Sequence, residues 1–132
     1  MDLGKIKLDL DKTTNGIWED LDGETSVLIA RMYNPKFNKR FQELTENYQS
    51  GARKRSITPE KAMEILTTCL AETILIGWKG LKLNGQEVPY SVEKAKEILA
   101  DPQLSTFRQM ITEIADNESK YREEEIIDTS GK

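Results

Sequence analysis

The sequence predicts an α+β fold, a small N-terminal antiparallel β-meander packed on a bundle of about four helices. Apolar residues recur with period two as far as Met32, and with period 3.6 from Asn34-Pro35 onward. Turn and cap residues stand where one pattern gives way to the next.

Lys5 to Lys12 alternates, with Ile6, Leu8 and Leu10 on one side and Lys7, Asp9 and Asp11 on the other, so it is expected to be the first strand. Thr13 to Gly16 turns the chain. Ile17 to Leu21, carrying Trp18, and Thr25 to Met32 are the next two strands, joined at Asp22-Gly23. Asn34 then caps a helix with Pro35 in its first position, and Phe37, Phe41, Leu44 and Tyr48 form one stripe, expected to contact the sheet. Ser50 to Ser56 concentrates Arg53, Lys54 and Arg55 on a linker.

Thr58-Pro59 repeats the cap-then-proline device and opens a helix expected to reach Ile76, ended by Gly77 and Gly80. Its polar residues, Glu60, Lys61, Glu64, Thr67, Thr68 and Glu72, share one wedge, and Leu75 falls where that wedge should continue. Leu81 and Leu83 alternate with Lys82, Asn84-Gly85 supplies a tight turn, and Ser91 caps a helix from Val92 to Ala100. A last helix is expected from Pro102 to Tyr121. Residues 1–121 should form one domain, and 122–132, with Glu123 to Glu125, a charged tail dispensable for folding but available for contacts.

At 132 residues with 37% hydrophobic and 32% charged content, the chain has the composition of a soluble single domain. A net charge of −4 disfavours a nucleic-acid surface, and no apolar run approaches the length of a spanning helix. One cysteine forms no internal disulfide, and Met1-Asp2-Leu3-Gly4 lacks the basic start of a secretory signal, which points to a cytoplasmic setting.

Histidine is absent, so the commonest general base and metal ligand is missing. Cys69 sits among apolar residues and reads as an inert buried thiol. Gly77, Gly80 and Gly85 fit neither phosphate-binding pattern, and the acids Asp9, Asp11, Asp20 and Asp22 lack the glycine and distal glutamate of a calcium loop. No catalytic, cofactor or metal residues are assigned, and the chain reads as a non-enzyme.

Gly77-Trp78, Leu81, Asn84-Gly85, Val88-Pro89-Tyr90-Ser91, Ala95, Ile98-Leu99 and Asp101-Pro102, in that order and spacing, resemble the tail assembly chaperones of long-tailed bacteriophages and prophages. Gly16-Ile17-Trp18, Val27 to Arg31 and Asn34 to Phe37 are similar to the opening of such proteins, so the resemblance spans Thr14 to Glu125. It implies a non-enzymatic protein that binds the tape measure protein, assists recruitment of tail tube subunits in the host cytoplasm, and is absent from the mature virion. It also implies a frameshifted longer form as a further partner, and leaves a homo-oligomer open. The alternative is a structural tail component or head-to-tail adaptor retained in the virion. Leu75, Trp78 and Leu81 are the candidate protein-binding residues, against the equally simple reading that all three are core.

Overall fold

The computed structural model describes residues 1–49 and 56–123 and bears out the α+β class, with a three-stranded antiparallel sheet and helices sharing one core. The first expected strand is replaced by helical turns. Asp2 caps a 3₁₀ turn at Leu3–Ile6, and the Asp9 carboxylate accepts from the Asp11 and Lys12 amides to cap α1, Leu10–Asn15. Aspartate's bond to its own following backbone competes with a sheet ladder, and the alternation had no core face to bury, since Leu10 is 78% exposed. Only Leu8 of this stretch pairs as a strand residue, in an antiparallel bridge to Arg122.

The hairpin of β1, Ile17–Asp20, and β2, Ser26–Ile29, forms as the sequence indicates. Asp20 accepts from the Gly23 amide and Asp22 from those of Glu24 and Thr25, while Gly23 takes φ +87. The strand completing the sheet comes from far along the chain: β3, Leu75–Lys79, pairs antiparallel with β2, giving the order β1-β2-β3.

Asn34 caps α2, Pro35–Gln49, its side-chain oxygen accepting from the Lys36 and Phe37 amides. The helix packs chiefly against α3, Pro59–Cys69, and the turn after it, rather than on the sheet. Phe37 is buried, Leu44 and Tyr48 lie partly buried against the core, and Phe41 stacks on Phe37 at 6.1 Å while remaining 40% exposed. Residues 50–55 of the basic linker lie outside the described residues.

Thr58 caps α3 and Ser91 caps α4, Val92–Ala100, each through its hydroxyl. The expected helix from Pro102 to Tyr121 is divided in three. A 3₁₀ turn at Pro102–Leu104 leads into α5, Ser105–Asp116, and a second at Glu118–Tyr121 carries Tyr121 into the core, where its hydroxyl donates to Ile29 O at 3.0 Å. Burial, with Glu19 nearby, raises the Tyr121 pKa, so the phenol stays a donor.

The expected domain boundary falls inside a short pairing of the chain's two ends. The Asp9 amide donates to Tyr121 O and the Glu123 amide to Lys7 O, and Lys12 Nζ donates to Arg122 O. Residues 124–132, the rest of the expected tail, lie outside the described residues. Among the described residues no helix is long and apolar enough to cross a membrane.

Candidate protein-binding site

Leu75, Trp78 and Leu81 are positioned by an irregularity in the helix before them. After Cys69 the helix widens into a π turn, Leu70–Ile74, with Leu70, Ala71, Thr73 and Ile74 buried, and the Leu75 amide donates back to Leu70 O. The chain then passes straight into β3, so the expected helix to Ile76 stops at Ile74. Three successive carbonyls at this joint find partners on three other segments. Asn34 Nδ2 donates to Thr73 O at 3.4 Å, the Ala30 amide to Ile74 O at 2.9 Å, and the Tyr90 hydroxyl to Leu75 O at 3.2 Å.

The outward position expected for Leu75 is corrected by this joint: Leu75 is fully buried, opposite Ile29. Leu28 pairs with Gly77 and Ile29 with Leu75, which leaves Ile76 as an extra residue, a β-bulge. The bulge lets Leu75 and Trp78, three residues apart, both face the core. Trp78 is 6% exposed, donates from Nε1 to Val88 O at 2.7 Å, and meets Tyr90 edge-on with ring centroids 4.8 Å apart. Segment 88–90 is thereby strapped along the free edge of β3. Burial, and secondarily Glu93, raises the Tyr90 pKa and keeps that hydroxyl a donor.

Gly77 does not end a helix but lies within the strand. Gly80 does end β3, at φ +74, and a Cβ there would lie 2.1 Å from Glu24 O, so no other residue fits that close approach. Leu81 is partly buried at the rim of the core and its carbonyl accepts from the Val88 amide. Between them projects a hairpin of β4, Lys82–Leu83, and β5, Gln86–Glu87, turned by Asn84 at φ 52 and Gly85 at φ 83. All four strand residues are exposed, Leu83 at 46%. An open cleft of about 500 Å³ lies at the hairpin's base, lined by Trp78, Lys79, Gly80, Glu87, Val88, Pro89 and Tyr90.

Of the three candidate residues, then, Leu75 and Trp78 form the buried base of this site and Leu81 its rim. Leu83, exposed at the tip, is the apolar residue that sequence reasoning passed over. Its signal was present in the alternation of Leu81 and Leu83 ahead of Asn84-Gly85.

Ion pairs fix the neighbouring helices. Glu72 accepts from Arg40 Nε at 2.9 Å and lies 3.2 Å from Lys96 Nζ, joining α2 and α4 across the π turn. Burial alone would raise the Glu72 pKa, but hydrogen bonds from Arg40 and Lys96 outweigh it and hold the carboxyl below its usual range. Cys69 is fully buried, and burial pushes its thiol up to about 11, so it stays protonated. Among the described residues no cluster of three or more His, Cys, Asp or Glu side chains could hold a metal ion.

A family model described as YdaY prophage protein matches residues 32–132, from just before the Asn34 cap through the π turn, strap and hairpin. The chain belongs to the YdaY prophage protein family. Neither a curated protein nor a solved structure matches it. The YdaY match contains β3 and the whole candidate site, while the β1–β2 hairpin lies before it.

Proposed function

We propose that this prophage protein is a non-enzymatic tail assembly chaperone that binds the tape measure protein and assists recruitment of tail tube subunits, acting in the host cytoplasm and leaving the finished particle. The order and spacing of residues from Gly16 to Asp101-Pro102 resemble that class, and membership of a prophage family agrees with it at a coarser level. The observation that carries the reading is an exposed, hydrogen-bonded hairpin whose Leu83 stands in solvent and whose base, Leu81 and Trp78, is tied to the core.

Apolar side chains on a pre-ordered element bind with little ordering cost, which suits a helical client held and then released. In this reading Leu75 and Trp78 border the surface from beneath, and Leu81 with Leu83 makes the contact. The test is co-purification of the prophage's own tape measure protein with the wild type and with Leu81→Ser and Leu83→Ser. Both variants should keep their fold and lose the client. Mass spectrometry of purified particles checks the second half of the proposal: a copy retained in the virion would instead identify a structural tail component or adaptor.

A further inference from the structure

The face of the sheet turned away from the core presents two rows of register partners, Trp18, Leu28 and Gly77 in one and Asp20, Ser26 and Lys79 in the next. On the opposite face Val27, Ile29 and Leu75 are fully buried, whereas Trp18 is 47% exposed. The Trp18 indole leans across β2, since a Cβ on Gly77 would lie 3.7 Å from its Cη2, and Lys79 Nζ sits 4.3 Å from the ring centroid. Among the described residues neither Asp20 nor Lys79 takes part in an ion pair. A large indole, an aliphatic side chain, one cation and one anion therefore share a face that the core does not use.

We propose that this face is the interface of a symmetric dimer, in which two copies stack their sheets with a two-fold axis running along β2. Such an axis exchanges β1 and β3. It sets Asp20 of each copy against Lys79 of the other, Leu28 against Leu28, and the two indoles toward one another over the axis. The charges match without any change of register, and the match occurs twice. Lys79 lies between its own indole and the opposing carboxylate, and desolvation strengthens the cation–π contact there. The proposal does not rest on the client-binding reading, which uses the hairpin, although Lys79 also lines the cleft at the hairpin's base.

The decisive experiment is sedimentation equilibrium of the full chain with charge-swapped variants. The wild type should dimerise. D20K and K79E should each raise the dissociation constant about tenfold or more, because each breaks both symmetric pairs, and the double variant D20K/K79E should restore it. Melting curves check that each variant folds. Asp20 also accepts from the Gly23 amide, so if D20K fails to fold, K79E decides together with a second measurement. In that measurement a mixture of isotope-labelled and unlabelled wild type is joined by a carbodiimide, which links carboxylate to amine, and mixed-isotope peptides joining Asp20 to Lys79 are expected. A monomeric wild type, single variants that dimerise normally, a double variant that stays monomeric, or cross-links of one isotope alone would each overturn the proposal.

Discussion

Replacing Leu75 by Ala separates folding from binding at the candidate site. The side chain is fully buried opposite Ile29, and its backbone is fixed by the bulge at Ile76 and the Tyr90 hydroxyl. The atoms lost are apolar, and neighbours held in a sheet collapse poorly into the space. The expected cost is about 2 to 5 kcal/mol, with the upper half favoured by that rigidity. For a chain of this size 1 kcal/mol moves Tm by roughly 3 to 5 °C, so Tm should fall by about 6 to 25 °C. Leu83→Ala, at a side chain 46% exposed, should stay within about 0.5 kcal/mol of the wild type. Thermal and urea unfolding of the two variants, followed by circular dichroism, measure both numbers. A Leu75→Ala protein melting within 2 °C of the wild type would refute the placement of Leu75 in the core.

Gly80→Ala should cost about 2 kcal/mol or more, because positive φ and the Glu24 carbonyl both oppose a side chain, whereas Gly85→Ala meets no atom within 4 Å and should cost only about 1 kcal/mol; urea titration compares them. Glu72 has a folded pKa below its unfolded one, so its contribution to stability is fully present above the unfolded value and is lost as pH falls toward the folded one. Glu72→Gln should accordingly flatten the acid limb of a stability–pH curve. Cys69 should resist a thiol reagent at pH 8 until the protein unfolds, since the thiol is buried and its pKa is about 11. Truncation after Tyr121 removes the bonds from Glu123 N to Lys7 O and from Lys12 Nζ to Arg122 O, so it should cost about 1 to 2 kcal/mol and speed hydrogen exchange near Leu8.

The sequence displayed its caps and turns clearly because each is a local bond between near neighbours. Asn34, Thr58, Ser91, Asp22-Gly23 and Asn84-Gly85 all do in space what their residue types indicate. What was hidden depends on distant partners. The alternation of Lys5 to Lys12 looks like a strand until Asp9 turns on its own backbone, a choice that period alone does not reveal. Extending the 3.6 period carries Leu75 onto the polar face because it assumes an unbroken helix, and the π turn followed by a bulge shifts the phase twice, which leaves the core reading of Leu75. The β-rich content of Ile74 to Trp78 was the available signal for a strand there. The α+β class survived because a strand lost at the N-terminus was replaced by one from mid-chain.

The joint at residues 73–75 explains why a binding surface can sit beside the core without weakening it. A helix that turns directly into a strand leaves carbonyls that neither element can satisfy, and here Asn34, Ala30 and Tyr90 supply the missing donors. The third donor reaches back from the strap, whose other anchor is the Trp78 indole on Val88 O. The chain between Gly80 and Val88 must therefore leave the core and return to it, and it does so through the short exposed hairpin. Leu83 and its neighbours can be altered without disturbing any bond at the joint, whereas Tyr90→Phe would orphan Leu75 O and loosen the strap beneath them. A variant at Leu83 that lost the client while a Tyr90→Phe protein lost stability would separate the gripping surface from the frame that holds it.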